Sequence, residues 1–257
     1  MHNSCDAMIK KAIIYPIANG NYNDSSHELI FSLRSVAEHF QKNPLEEIPV
    51  FVISEECPPY LSDCINYVKC SGYLDALVKA CQIAEEFVWM NDDIFFLTDH
   101  SWEDMREWDR RENEVSEGGI EEMVNGTGWS RRKGEVLSQL KKEGYTTYDY
   151  SSHTPYLYES EKLLPVIEKY EFGYKTPVET AYGNVYGLER SKTRKKLSRF
   201  HGKALPLDVS SYTILNYSDR ADLAHLRGFL LGRFPKPCQY ESYGNLVLSK
   251  HTLCKIK

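Results

Sequence analysis

The sequence of this 257-residue chain predicts an α/β fold in which helices cover a mainly parallel sheet. Over the first hundred residues, short apolar runs rich in β-branched and aromatic residues alternate with segments of helical spacing. That alternation favours a parallel sheet, because parallel strands need long crossover connections, which helices usually supply. The composition, with 42% hydrophobic and 26% charged residues, is typical of a globular protein.

The individual elements are predicted from the periodicity of apolar residues and from the residues that interrupt it. The first helix can be capped by Ser25 or Ser26, and its apolar face runs from Leu29 to Phe40. The predicted elements are, in chain order, strand 12–17, helix 29–40, strand 49–53, a short helix 60–65, strand 66–70, helix 74–86, a strand ending at 90, a second apolar run at 94–97, helices 130–143 and 160–170, and a helix end near 235.

Charge and cysteine content exclude some classes of protein. A formal net charge of −6 argues against a protein that coats nucleic acid by bulk electrostatics, although a local basic groove remains compatible with it. The seven cysteines are odd in number and form no CxxC pair, which indicates reduced thiols in a cytoplasmic protein and no zinc site. No signal peptide or apolar run of membrane-spanning length is recognisable.

The stretch Asn91–Asp93 places two adjacent carboxylates after a carboxamide, between two apolar runs. Burying an acid without a partner costs several kcal/mol or forces the acid to take up a proton. A divalent cation such as Mg²⁺ or Mn²⁺ is a suitable partner and could clamp a diphosphate. The alternative is a hairpin turn, for which the same three residues are also suitable.

Further candidates lie where strands of such a sheet end, because ligands bind at the carboxyl ends of parallel strands. The loop Asn19–Asp24 could bind a nucleotide or be a polar turn. Arg34 could recognise phosphate or merely flank the core. Asp75 and Lys79 could reach a base or diphosphate, or form a surface ion pair. His153 could complete a metal shell or be a solvated loop histidine.

The basic run from Arg190 to Lys203 is the strong cluster of positive charge in the sequence. It could guide an anionic acceptor such as DNA or a phosphorylated glycan. The alternative is a solvated helix face or a flexible arm.

Two segments, Glu28–Val36 and Phe87–Asp93, together resemble the conserved region of Stealth-type capsule sugar-phosphate transferases and of related phage-encoded glycosyltransferases. In those families an "ELxxSLRS" helix precedes an "NDD" metal motif, and an "HxP" element follows, here His153–Pro155. Tyr182–Asn184 and Phe234–Glu241 are similar to later motifs of the phage proteins.

The resemblance implies a GT-A-like fold, with a Rossmann-type mixed sheet flanked by helices. It implies that Asp92 and Asp93 bind Mn²⁺ or Mg²⁺ and the diphosphate of a nucleotide sugar, a UDP-sugar foremost. It also implies that Arg34 supports the donor site and that His153 lies near the reaction centre, as a catalytic group or metal ligand. The other expected donor-site residues are Pro16, Asn19, Asp75, Asn91, Tyr182 and Asn184.

One departure separates this chain from the Stealth enzymes, which carry an aspartate-containing motif directly after the first strand. Here the equivalent stretch, Tyr15–Gly20, has no acid. This favours plain glycosyl transfer, to a base in phage DNA or to a glycan, over sugar-phosphate transfer; a nucleotide-sugar-binding protein without catalysis is a further alternative. Residues 1–98 are expected to bind the donor and residues 99–257 the acceptor. The sequence does not assign an acceptor base: Asp149, Glu179 and Asp208 are carboxylates in suitable regions, and none of them stands out.

Overall fold

The computed structural model describes residues 8–17, 28–40, 48–170, 177–190, 195–199, 208–217 and 223–242. The strands of this part of the chain are β1 (Ile9–Pro16), β2 (Val50–Ser54), β3 (Asn66–Lys69), β4 (Ala84–Trp89), β5 (Ile94–Phe96), β6 (Tyr156–Glu159), β7 (Lys196–Arg199) and β8 (Ile214–Tyr217). Its helices are α1 (Glu28–His39), α2 (Tyr73–Ile83), α3 (Glu117–Val124), α4 (Gly128–Lys142), α5 (Ser160–Lys169), α6 (Val178–Val185) and α7 (Leu223–Arg233), with a short 3-10 helix at Glu103–Arg106.

A five-stranded sheet in the order β3-β2-β1-β4-β6 forms the centre of the fold. Its first four strands are parallel, and β6 joins antiparallel to β4. A second sheet has the order β5-β8-β7, with β8 antiparallel to β5 and parallel to β7. The predicted α/β fold with a mixed, mainly parallel sheet is therefore confirmed.

Strand β4 shows how the two faces of the central sheet are built. Phe87 and Trp89 point to a core that contains α2, α4, α5 and α6, whereas Val88 and Met90 point to a core that contains α1 and one face of the second sheet. This alternation follows from the two-residue period of a strand. A third core lies between α7 and the other face of the second sheet.

Several predicted boundaries are wrong. The predicted helix 74–86 ends at Ile83, because Ala84 already pairs with Ile9 of β1 and extends the sheet. No helix forms at 60–65; this stretch is a turn in which Leu61 forms a β-bridge with Glu241. Tertiary pairing overrides local helical preference at both places.

The two sheets also connect the predicted donor-binding and acceptor-binding halves. Strand β6 belongs to the second half but completes the central sheet, and β5 of the first half pairs with β8. The assignment of donor and acceptor to the two halves stays a prediction. Within the described part of the chain, no helix is both long and apolar enough to cross a membrane.

Candidate functional site

The turn Asn91–Asp93 lies at the carboxyl edge of the central sheet, between β4 and β5. The amide of Ile94 donates to the carbonyl of Asn91 at 3.3 Å and closes the turn. Since β4 and β5 belong to different sheets, the turn does not close a hairpin. Both carboxylates are half-buried, and Asp93 Oδ1 is shielded from solvent. Asp92 and Asp93 therefore lie at the strand end, as expected for a ligand-binding pair, and they do so within a turn.

Two serines of α1 hold the chain directly after this turn. The Ser32 hydroxyl donates to the carbonyl of Ile94 at 2.5 Å, and the amide of Phe96 donates to Ser35 Oγ at 3.1 Å. Ser32 Oγ also lies 3.0 Å from the Tyr15 hydroxyl of β1. The serines of the Ser-Leu-Arg-Ser motif thus connect α1, β1 and β5 around the Asp pair.

Arg34 of the same motif is bound within the protein. Its Nε and Nη2 donate to the two carboxylate oxygens of Glu241, each at 2.7 Å, and Nη1 donates to the carbonyl of Phe234 at 2.9 Å. Both side chains of the ion pair are almost fully buried. Arg34 therefore anchors the segment 234–242 to α1, while direct contact with a donor phosphate stays a prediction.

The anchored segment forms one wall of the edge that carries the Asp pair. Cys238 and Tyr240 lie close enough to Tyr15 to raise the pKa of its hydroxyl, as does Asp92, although burial is the main cause of that shift. Burial raises the pKa of the Cys238 thiol to about 12, so this thiol is neutral at physiological pH. Segment 234–242 thus packs near Tyr15 at this edge of the sheet, with the Cys238 thiol in its neutral form.

Lys196 on β7 lies close enough to the turn for the charge of Asp93 to act on it, and the sequence did not single it out from its basic neighbours. Its ammonium donates to the carbonyl of Ser152. Burial lowers the pKa of Lys196, and the nearby carboxylates of Asp109 and Asp93 oppose that shift. The pairing of β7 with β8 explains this inward position. The sequence could not predict it, because nothing in a run of seven basic residues distinguishes one of them from the others. The run itself forms a strand at 196–199, and residues 191–194 and 200–203 lie outside the described residues.

His153 lies near Lys196, in the loop that leads into β6. Its φ of 48° is uncommon for a residue other than glycine, and such conformations are enriched at functional sites. Partial desolvation, followed by the charge of Lys196, lowers the pKa of the imidazole. The structure therefore places Asp93 and His153 beside the same cation, and His153 favours its neutral form near pH 7.

The predicted metal centre combines Asp92 and Asp93 with His153. Among the described residues, no group of three His, Cys, Asp or Glu side chains could hold a metal ion, so Asp92, Asp93 and His153 do not form such a group. An adjacent carboxylate pair nevertheless fits Mg²⁺, which is commonly held by one or two carboxylates together with substrate phosphates. The donor set is thus compatible with a cation shared between the Asp pair and a diphosphate.

The remaining candidates have local partners or lie elsewhere. Asp75 accepts hydrogen bonds from the Ser71 amide at 2.7 Å and hydroxyl at 3.0 Å, and these bonds with the 3.1 Å ion pair to Lys79 lower its pKa. Pro16 is the last residue of β1, at the same edge as the Asp pair. Asn19 lies outside the described residues.

Tyr182 and Asn184 lie inside the protein on α6. The Tyr182 ring stacks on Trp108 at 5.3 Å, and its hydroxyl accepts from the Glu159 amide. Asn184 bonds through both polar atoms of its amide to the backbone of Tyr148. These contacts secure the fold of this half, and a ligand contact by either side chain stays a prediction.

The three carboxylates that the sequence ranked equally differ in their surroundings. Asp208 is exposed and accepts from the Ser210 amide. Asp149 is buried, and bonds from Lys133 and Ser151 outweigh burial and lower its pKa. Burial raises the pKa of Glu179 to about 7, and the charge of Asp149 adds to the shift. Glu179 lies near Tyr73 and Tyr156, behind the loop that carries His153.

Comparisons with known proteins support the fold. No protein-family model and no curated protein matches the sequence. The chain is similar to the apo structure of the bifunctional glycosyltransferase WbbM, with a TM-score of 0.52 and 9% identity over 92% of this chain and 51% of that one. It also matches the galactosyltransferase LgtC in complex with donor and acceptor sugar analogs, with a TM-score of 0.48 and 10% identity over 89% of this chain and 98% of that one. The chain therefore has the GT-A-like α/β fold, a mixed sheet flanked by helices.

Proposed function

We propose that this protein is a glycosyltransferase that moves a sugar from a nucleotide sugar, a UDP-sugar foremost, to an acceptor hydroxyl. The main observation is the position of Asp92 and Asp93 at the carboxyl edge of the central sheet, the edge at which α/β proteins bind ligands. Lys196 and His153 approach the same edge. The absence of an acid in Tyr15–Gly20 supports glycosyl transfer over sugar-phosphate transfer. Kinship with Stealth-type and phage-encoded enzymes is part of the proposal, and it rests on the shared motifs.

In this reaction the acceptor oxygen forms a bond to the anomeric carbon of the donor sugar. The bond from that carbon to the diphosphate breaks, its electron pair stays on the nucleoside diphosphate, and the acceptor hydroxyl loses its proton. Asp92 and Asp93 would hold Mg²⁺ or Mn²⁺, which supplies Lewis-acid stabilisation of the leaving diphosphate when bound.

The chain's own residues supply two further functions. The ammonium of Lys196 adds positive charge beside Asp93, where charge develops on the leaving group. The neutral imidazole of His153 is suited to accept the acceptor proton, since its lowered pKa leaves a ring nitrogen unprotonated near pH 7. Ser32 and Ser35 keep the Asp turn in place through β5.

The substitution Asp93→Asn tests this proposal, because it removes a charge and keeps the shape of the side chain. We expect calorimetry to show binding of a nucleotide sugar to the wild type with Mn²⁺ or Mg²⁺. The variant should lose about a hundredfold in affinity, equivalent to about 3 kcal/mol. Turnover should release a nucleoside diphosphate, whereas a nucleoside monophosphate would indicate sugar-phosphate transfer.

The matched control is Glu168→Gln, which also neutralises a carboxylate but lies exposed on α5. It should bind the donor as the wild type does, and both variants should show wild-type circular dichroism. If no nucleotide sugar binds to the wild type with either metal, the proposed function is wrong.

A further inference from the structure

The loop that carries His153 is bound to one buried hydroxyl, that of Tyr156. Tyr156 is the first residue of β6 and is 6% exposed. Its hydroxyl donates to the carbonyl of Tyr150 at 3.0 Å and accepts from the amide of Ser152 at 2.9 Å. Burial, followed by the charge of Glu179, raises the pKa of this hydroxyl, while hydrogen bonds from Ser152 and from the His153 amide oppose the shift. The hydroxyl therefore stays protonated, and its hydrogen bonds reach both the chain before His153 and the His153 backbone.

The conformation of this loop needs such an anchor. His153 has a φ of 48°, in the left-handed region that residues with a side chain rarely adopt. Conformations of this kind cost about 1–3 kcal/mol and persist only where surrounding contacts enforce them. The hydroxyls of Ser152 and Thr154 lie 2.8 Å apart within the loop, and the ammonium of Lys196 donates to the Ser152 carbonyl. The Tyr156 hydroxyl adds the contact that comes from the core, so it fixes the loop relative to the central sheet.

Tyr156 also ties the loop to the strand that ends at the Asp turn. It is the partner of Trp89 in the antiparallel pairing of β6 with β4. After Trp89, β4 runs on into the Asp turn, and His153 precedes Tyr156 by three positions. The Asp turn and the His153 loop thus leave the same end of two paired strands. This position agrees with the charge interactions, since Lys196 is close enough to interact with both Asp93 and His153.

A second tyrosine of β6 lacks this connection. Tyr158 lies two positions after Tyr156, and its ring is fully buried in the same core. Within the described residues, the Tyr158 hydroxyl has no hydrogen-bond partner. The two tyrosines therefore form a matched pair on one strand, in which only the Tyr156 hydroxyl is bonded to the loop of His153.

We infer that Tyr156 is a positioning residue, whose buried hydroxyl holds the loop 152–154 so that the imidazole of His153 stays beside Lys196. The catalytic consequence rests on the proposed function, whereas the hold on the loop can be measured without a donor. When water is the acceptor, its oxygen bonds to the anomeric carbon, the bond to the diphosphate breaks with its electron pair on the leaving group, and a water proton passes to His153. Release of the loop impairs that proton transfer and leaves binding of the donor by the Asp pair intact.

Amide hydrogen exchange, measured by NMR on the whole chain without donor, tests the hold on the loop. Tyr156→Phe removes the hydroxyl and keeps the ring. We expect it to speed exchange of the Ser152 and His153 amides about tenfold, as local opening of the loop becomes easier. Tyr158→Phe makes the same change on the same strand and should leave both amides as they are in the wild type. Tyr170→Phe, which removes a 2.8 Å hydrogen bond at the end of α5, controls for a general loss of stability.

Hydrolysis of the donor tests the catalytic consequence. The probes are UDP-glucose, UDP-galactose and UDP-N-acetylglucosamine with Mn²⁺, screened by calorimetry, and the kinetics are measured with those that bind. We expect Tyr156→Phe to lower kcat about tenfold and to leave KM and Kd within about twofold, because misplacement of a reacting group costs rate and not donor binding. In a His153→Gln background the same substitution should have no further effect on kcat, because its effect passes through the imidazole. Tyr158→Phe and Tyr170→Phe should keep the wild-type kcat.

The outcomes separate this inference from the proposed function. The inference is overturned if Tyr156→Phe leaves both amides as protected as in the wild type, or if Tyr158→Phe exposes them equally. It is also overturned if kcat is unchanged, or if it falls equally with and without His153. If no donor binds to the wild type, the proposed function is wrong, and the exchange rates still decide whether the hydroxyl holds the loop. Should Tyr156→Phe fail to fold, Ser152→Ala, which removes the 2.8 Å contact with Thr154, takes its place with the same expectations for the His153 amide and for kcat.

Discussion

Two carboxylate-bearing regions flank strand β4 and differ in almost every physical respect. The Asp92–Asp93 turn follows the end of the strand, is half-buried, and is held by α1 on one side and faced by Lys196 on the other. The region of Asp149 and Glu179 lies on the opposite face among aromatic side chains. There Asp149 is bound by Lys133, and Glu179 has a pKa raised to about 7.

The difference shows that the identity of an acidic residue says little about its role. Asp92 and Asp93 combine partial solvent access with a nearby cation, which are the conditions for binding a charged ligand. Asp149 is already compensated by protein groups, and Glu179 favours its neutral form because burial penalises the charge. We expect the first region to bind a ligand and the second to affect only the stability of the fold, and three substitutions test that contrast.

The largest expected effect is on the scaffold behind the Asp turn. We expect Arg34→Ala to lower the free energy of unfolding by about 3–5 kcal/mol, because it leaves the Glu241 carboxylate buried without its cation. Urea denaturation measures this loss. The matched control is Arg106→Ala, since Arg106 also contacts both oxygens of a glutamate, Glu86, but on the surface.

The control should cost at most about 1 kcal/mol, as exposed ion pairs do. Equal losses of unfolding free energy for the two variants would show that the buried Arg34–Glu241 pair contributes no more to stability than an exposed pair. The anchoring role of Arg34 would then have to be abandoned.

The second prediction concerns the buried region. Glu179→Gln should stabilise the protein by about 3 kcal/mol at pH 8, because a pKa raised from 4.5 to about 7 in the folded state means that folding disfavours the ionised form. The sign follows from proton binding: between these values the folded state holds more protons, so wild-type stability falls as the pH rises. Thermal denaturation at pH 8 and pH 4.5 should show a gain at pH 8 that disappears at pH 4.5.

Asp149→Asn serves as the opposite control. Its pKa is lowered by Lys133 and Ser151, so the stability that the carboxylate contributes is present above its unfolded pKa and is lost as the pH falls. The variant should therefore be less stable than the wild type at pH 8. A stabilising Asp149→Asn would contradict the contrast drawn between the two buried acids.

The smallest effect is expected at Ser35. Ser35→Ala removes the acceptor of the Phe96 amide and should cost about 1 kcal/mol. It should also weaken nucleotide-sugar binding, since β5 follows the Asp turn directly. Ser116→Ala, which removes the side-chain cap of α3, should cost a similar free energy and leave the donor affinity unchanged. Calorimetric titration of both variants distinguishes loss of positioning from loss of stability.

The sequence allowed the central part of the fold to be predicted. Alternating apolar runs identified β1, β2, β4 and the helices between them. When one face of an element is buried, apolar residues recur at a regular spacing that the sequence shows directly. The Asn91–Asp93 stretch was predicted to be a site because carboxylates between buried runs are costly, and its role stays a prediction. Errors arose at Ala84 and at residues 60–65, where pairing with distant segments of the chain decided the conformation.

Only the tertiary structure decided which charged residues meet. Arg34 and Glu241 are 207 positions apart, and Lys196 reaches Asp93 through the pairing of β7 with β8. Neither contact leaves a local pattern, because an ion pair between distant segments has no period and needs no neighbouring residue of a special type. Strand and helix order therefore came from the sequence by itself, through hydrophobic burial, whereas the charge surrounding the Asp pair came from the packing of segments far apart in the chain.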